Sequence, residues 1–153
     1  MKIVDGFIII IDSNEQLPYD FKSIKPQPMI ERRKLKTGDY SVRGLESLIT
    51  IERKSLTDLF GSLGNGRKRF EREFQRMSEF KYAVLMIEND YKTMFGNPPS
   101  HSTIAPKKIF RSLLAWSQRY NVHVFPMWSR AAAEKTTYLI LKRFYDDYME
   151  GKK

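Results

Sequence analysis

An α/β domain is the fold class this sequence predicts, and three observations predict it. Short apolar runs, "FIIII" at 7–11 and "YAVLMI" at 82–87, read as strands buried on both faces. Amphipathic stretches at helical spacing, "RKRFEREFQRMSEF" from Arg67 and "KKIFRSLLAWSQRY" from Lys107, alternate with them. Strands interleaved with helices make a sheet whose faces are covered by those helices. The chain has 153 residues and shows no repeat, low-complexity tract or linker, so one domain over 1–153 is expected.

The elements follow in order. Residues 7–12 form the first strand, "SNEQLP" a polar loop, and Pro18 can start a short helical turn. Residues 29–35 read as a further strand despite their polarity. Asp39–Arg43 and Leu48–Lys54 are strands joined by Gly44–Ser47, a hairpin by length and turn chemistry. Ser55 caps a helix "LTDLFGSL", with Asp58 at the position that favours an acid, and "GNG" breaks it. Arg67–Phe80 is the next helix, with Phe70, Phe74 and Met77 on one face and Arg69, Arg72 and Arg76 on the other. A central strand at 81–88, a loop at 97–106, a helix to Tyr120, a short strand "NVHVFPM" and a long helix Arg130–Met149 complete the chain. Leu139, Ile140, Leu141, Phe144, Tyr145 and Tyr148 give that last helix more apolar surface than one face needs, which points to a homodimer contact.

Composition narrows the partners. A net charge of +9 and a pI near 9.7 favour a polyanion, and nucleic acid suits it better than a membrane surface, because no basic amphipathic anchor stands out. With no cysteine, disulfides and thiolate metal sites are excluded, which suits a reducing, intracellular compartment: cytoplasm or nucleoid, or a nucleus. The apolar runs are too short to span a bilayer. Gly61, Gly64 and Gly66 precede no Gly-Lys-Ser/Thr, so they read as a helix stop and not a phosphate loop. His101 and His123 are isolated, and Ile109, Leu113 and Trp116 read as core.

The stretch "GDYSVRGLESLITIERKS" at 38–55 places three charged groups where the other residues read as sheet. Side chains two apart on a strand share a face, at a repeat of roughly 6.6 Å. Glu52 and Lys54 therefore project with Thr50, and Arg53 projects the other way with Ile49 and Ile51. Pairing Arg43 with Leu48 across the hairpin sets Asp39 opposite Glu52, so two carboxylates and a lysine meet in one small volume. Two such carboxylates repel and call for a cation, which a lysine and a hard divalent ion together supply. That set suits phosphodiester hydrolysis. On these residues alone a second reading stands: a solvated hairpin whose charges pair across the strands.

The longer pattern separates the two. "GDY…ITIERKSLTDL" resembles the G-D-x(n)-E-R-K-x-x-x-D signature of the XPF/Hef family of structure-specific endonucleases, a branch of the restriction-endonuclease-like PD-(D/E)XK nucleases. "IIIDSNEQLP" is similar to the family's D-x-R-E strand and loop, "LFGSLGNGR" to the segment after the signature, and "AVLMIE" to the core strand that follows. The resemblance implies a restriction-endonuclease-like mixed central sheet with helices on both faces. It implies metal ligands at Asp39, Glu52 and the main-chain carbonyl of Arg53, a water-positioning Lys54, and Asp12 and Glu15 lining the same site. The Arg53 side chain, pointing off that face, suits a structural ion pair. Asp58 matches the last signature acid and equally suits a helix first turn. Beside such a motif, Arg67, Lys68, Arg69, Arg72 and Arg76 are expected on the DNA backbone, with Lys107, Lys108 and Arg111 a second basic cluster.

The resemblance thus implies a Mg²⁺- or Mn²⁺-dependent DNA endonuclease that cuts near a branch, flap or junction in repair, recombination or replication, working as a homodimer. Two alternatives remain open: a Holliday-junction resolvase of the same fold, and a non-catalytic DNA-binding or dimerising subunit. Two departures stand out. Asn14 occupies the place of the family's usual Arg, and Arg67 is one candidate to supply what it does. The C-terminal tandem helix-hairpin-helix module of many members is missing, so a separate DNA-recognition protein, a second chain, a simpler substrate or a longer parent chain is expected.

Overall fold

The isoleucine run behaves as its composition requires. In the computed structural model, which describes residues 6–151, Ile9 and Ile10 have no exposed surface although they point to opposite faces. They lie in strand β1 (Ile8–Asp12), held between β2 (Met29–Arg33) and β3 (Tyr40–Val42). The sheet continues through β4 (Ile49–Lys54), β5 (Tyr82–Ile87) and β6 (His123–Pro126), in the order β2-β1-β3-β4-β5-β6. It is mixed: β3 runs antiparallel to β1 and β4, and the β1–β2, β4–β5 and β5–β6 pairs are parallel. Its outermost strands, β2 and β6, carry the polar and exposed positions, which explains the polarity of residues 29–35. The ends of the expected domain, 1–5 and 152–153, lie outside the described residues.

Each parallel pair needs a crossover, and helices supply two of them. Helices α1 (Leu56–Leu63) and α2 (Arg67–Met77) connect β4 to β5, and α3 (Tyr91–Gly96) and α4 (Pro106–Tyr120) connect β5 to β6. They cover one face, where Leu59, Phe60, Phe70, Phe74, Leu85, Ile87, Leu113 and Trp116 share a core. The last helix, α5 (Arg130–Met149), covers the other, over Ile9, Ile11, Tyr40, Ile49, Ile51, Val84 and Met86. Alternation along β4 and β5 therefore decides which core each residue joins.

The Ser55 cap is as read, and α5 has a serine cap of its own. Ser55 accepts the Asp58 N–H at 3.1 Å and opens α1, and Ser129 accepts the Ala132 N–H at 3.0 Å and opens α5. Among the described residues no helix is long and apolar enough to cross a membrane.

Two expectations need correction, and one element is new. No helical turn follows Pro18; the β1–β2 crossover is a loop that inserts Tyr19, Phe21 and Ile24 into the α5-side core. Its main chain is held by side chains instead, Tyr40 Oη accepting the Tyr19 N–H at 2.9 Å and Glu134 accepting the Phe21 N–H at 2.9 Å. The short helix α3 was not foreseen, though Asp90 caps it by accepting the Thr93 N–H at 2.7 Å. Finally, most of the apolar surplus of α5 is internal: Tyr138, Ile140, Phe144, Tyr145 and Tyr148 pack on the core, leaving Leu139 and Met149 exposed.

Candidate active site

Where β3 begins, the chain makes a corner that fixes one carboxylate. Gly38 has φ +83°, and a Cβ there would lie 1.9 Å from Thr50 Oγ1, so the position is closed to any other residue without displacement. Asp39 follows. Tyr40 pairs with Ile51, the predicted register, but the ladder ends there. The Asp39 N–H donates to Ile51 O and the Asp12 N–H donates to Asp39 O, both at 2.8 Å. The Arg53 N–H, which a longer β3 would have matched with a main-chain carbonyl, instead donates to Asp39 Oδ2 at 2.8 Å. Asp39 is thus tied to β1 and β4 at once.

Across this corner, Glu52 and Lys54 leave β4 on the face covered by α2, as two-residue alternation requires. Glu52 is buried, and Lys54 Nζ lies 3.4 Å from Glu52 Oε2 and 5.0 Å from the centre of the Phe70 ring. Burial pushes the Asp39 carboxyl up to about 7, against the pull of the Arg53 N–H and with help from the charges of Glu15 and Glu73. Burial, then repulsion from Asp39 and Glu73, drives Glu52 well above the carboxylate range. Glu73, on α2, is also a hydrogen-bond neighbour of Glu52.

Sequence reasoning missed Glu73. The signal was present: positions 70, 73, 74 and 77 are one i, i+3, i+4, i+7 stripe, and Glu73 is its single charged member. The arginines of the outer face dominate the charge pattern and mask a carboxylate on the inner one.

Arg53 takes the opposite face and a different task. Its Nε and Nη2 each donate to Glu15 at 2.8 Å, and Nη1 donates to Glu88 Oε1 at 2.9 Å. Glu88 in turn accepts from Tyr19 Oη at 2.6 Å and from Arg130 at 2.8 Å. Burial works against Glu15, but the two-pronged contact with Arg53 outweighs it and holds its carboxyl below the usual range. The hydrogen bonds that Arg53 donates to Glu15 likewise raise Arg53. Glu15 therefore reaches Asp39 only through its charge, while its oxygens stay with Arg53. Asp12 is also engaged, accepting the Leu35 N–H at 2.8 Å and the Asn14 N–H at 3.3 Å. Asp58 is exposed in the first turn of α1, and Asn14 is exposed.

The basic residues divide. Lys68, Arg69, Arg72 and Arg76 stand exposed on the outer face of α2. Arg67 is half-buried, its guanidinium 4.9 Å from the Trp116 ring centre, and it lines a cleft of about 450 Å³ with Lys107, Lys108 and Arg111. At the other end of α2, Arg76 shares a cleft of about 690 Å³ with Arg33, Lys34 and Lys36, the last three unforeseen from sequence. Basic clefts thus lie at both ends of the helix that carries Glu73.

Among the described residues, no group of three or more His, Cys, Asp or Glu side chains is placed so that it could hold a metal ion as it stands. The donors nevertheless fit a hard divalent cation: oxygen ligands only, three neighbouring carboxylates, and one buried carboxylate oxygen, Glu73 Oε1, with no hydrogen-bond partner.

The ERCC4 domain pattern matches residues 11–140. Two solved structures share the fold. The XPF from Aeropyrum pernix is 18% identical with a TM-score of 0.65, the match covering 93% of this chain and 69% of that one. The same organism's XPF in complex with DNA is 17% identical with a TM-score of 0.67, covering 95% of this chain and 66% of that one. No curated protein matches the sequence.

Proposed function

This chain belongs to the ERCC4 domain family, and from that premise we propose that it is a divalent-metal-dependent DNA endonuclease acting on branched, flap or junction-containing DNA. The observation that carries the reading is the Asp39–Glu52–Lys54 constellation, two partly desolvated carboxylates beside one ammonium. Asp39 and Glu52, with the main-chain carbonyl of Arg53, would hold Mg²⁺ or Mn²⁺. When bound, such an ion neutralises phosphate charge and makes water a better nucleophile. Lys54, braced by Glu52 and the Phe70 ring, orients the attacking water. Arg53 works indirectly. Its side chain, clamped by Glu15 and Glu88, fixes the β4 backbone from which Glu52 and Lys54 project on the other side.

The exposed cations of α2 and the clefts at its two ends hold the DNA backbone. The complex of an XPF of the same fold with DNA supports this partner. A role in repair, recombination or replication, a homodimer and a separate recognition protein belong to the same proposal, with Leu139 and Met149 the exposed apolar residues of α5. A non-catalytic subunit would have no chemical use for all three groups.

The test is a panel of flap, fork, four-way-junction and duplex DNAs incubated with Mn²⁺ or Mg²⁺, with products read at nucleotide resolution. Cleavage of branched substrates that stops with chelator, returns with Mn²⁺ and fails with Ca²⁺ is expected. Cleavage in excess chelator would sink the metal-dependent reading. Tight DNA binding without cleavage under any ion would favour the subunit.

A further inference from the structure

We propose that Glu73, contributed by α2, is a third acid of the divalent-ion site, so that the site is shared between the sheet and the helix crossing it. The inference rests on the endonuclease reading and adds a residue outside the strand–hairpin signature.

Position comes first. Glu73 sits between Phe70 and Phe74 in the stripe that α2 presses on the sheet, where an amphipathic helix ordinarily carries an apolar residue. No cation meets its inner oxygen. Glu73 Oε1 is fully buried and lacks any hydrogen-bond partner, while the side chain abuts the Glu52 carboxylate. An ionised carboxylate in that position is unfavourable unless a proton held with Glu52 or an arriving positive charge offsets it, and neither the sheet nor α2 supplies that charge.

Charge counting gives the size of the missing partner. Asp39, Glu52 and Glu73 are three acids, and Lys54 is the cation set against Glu52. Fully ionised, three negative charges and one positive leave a deficit of two. The neighbouring cation, the Arg53 guanidinium, is already matched by Glu15 and Glu88 on the opposite face. A dication closes that deficit and gives Glu73 Oε1 its partner. As they stand, the three carboxylates are not placed to hold an ion together, so side-chain torsions must bring them onto it. Glu73 has the rotatable bonds to do so without moving the helix.

Glu71, two residues away, is the internal control. It faces α4, accepting from Tyr120 Oη at 2.6 Å and pairing with Arg119 at 3.2 Å.

The experiment measures Mn²⁺ binding without DNA, by calorimetry and by Mn²⁺ electron paramagnetic resonance, alongside melting in chelator. Wild type, Glu73→Gln, Glu73→Asp, Glu71→Gln and Glu52→Gln are compared. Glu73→Gln is expected to weaken Mn²⁺ binding by about tenfold or more, and to melt in chelator no lower than wild type because a repulsion is removed. Glu71→Gln should bind Mn²⁺ as wild type does. Should Glu73→Gln fail to fold, Glu73→Asp, which keeps the charge but withdraws it, decides by the same loss of affinity. Unchanged affinity in the folded Glu73 variant, with Glu52→Gln still impaired, overturns the role of Glu73 and leaves the endonuclease reading standing. A wild type that binds no Mn²⁺ overturns both.

Discussion

Arg53 and Lys54 are adjacent cations with different tasks, and the pleat of one strand is the reason. Lys54 faces Glu52 and Phe70 beneath α2, whereas Arg53 faces Glu15 and Glu88 beneath α5. Exchanging their roles would require β4 to slip by one residue, which would also turn Ile49 and Ile51 out of their core. The two faces predict different mutant behaviour. Glu52→Gln keeps shape and removes the charge that would hold the ion, so DNA binding should survive while cleavage falls by at least about 10²-fold. Lys54→Met should behave alike, and Asp58→Asn, altering only an exposed first-turn acid, should cost far less. Single-turnover cleavage and DNA affinity on the same preparations check this. Wild-type rates for both Glu52→Gln and Lys54→Met would place the chemistry elsewhere.

At the scale of elements, α2 has two working faces. Its outer face carries Arg69, Arg72 and Arg76, each free of the core. Replacing all three with Ala should weaken DNA binding and flatten the slope of log K against log salt by roughly 2 to 3 units, about one per lost phosphate contact. Titrations at several salt concentrations measure it, and an unchanged slope would return this face to solvent. The outer face was legible in the sequence because exposed charges follow a period; the inner face was not, because one acid inside an apolar stripe breaks no period. The hairpin register was legible for a similar reason: a two-residue repeat and a short turn leave few pairings. The loop from Ser13 to Pro28 was opaque. It places Tyr19, Phe21 and Ile24 in the core without any periodicity, its main chain bonded to side chains far away in sequence. Most of the apolar excess of α5 is taken up inside the molecule because that helix is packed on by Phe7 as well as by the sheet, with Phe7 5.4 Å from Tyr145 between ring centres.

For the whole molecule, the carboxylates impose a pH dependence whose sign is fixed. In the metal-free fold burial raises Asp39 to about 7 and raises Glu52 well above its ordinary range. An unfolded chain releases both protons near pH 4. The folded state therefore binds more protons across the interval from about 4 to about 7, and its stability falls as pH rises through it. The contribution is complete below the unfolded values and lost once the folded groups ionise. Glu15, held low by Arg53, acts in the opposite sense, adding stability that disappears as acid protonates it. Melting temperatures in chelator between pH 5 and pH 8 should show the decline, and Glu52→Gln should flatten it. Added Mn²⁺ should stabilise the protein more at pH 8 than at pH 6, since ligation competes with protons. Equal stabilisation at both would separate metal binding from these acids.

The Arg53–Glu88–Arg130 chain has a consequence for the order in which the molecule is made. Synthesis delivers Asp39, Glu52 and Lys54 well before α5, yet Glu88 shares its charge with Arg130, and the loop holding Tyr19 is tied to α5 by Arg130 on Leu17 O and Glu134 on the Phe21 N–H. Until α5 docks, Glu88 lacks one of its two arginines and the loop beside Glu15 lacks two of its anchors, keeping the bonds to Tyr40 and Arg53. A nascent chain that already displays every signature residue is still without the bracing that holds them in place. Bracing from α5 therefore reaches the signature residues only after the chain has extended about eighty residues beyond Glu52.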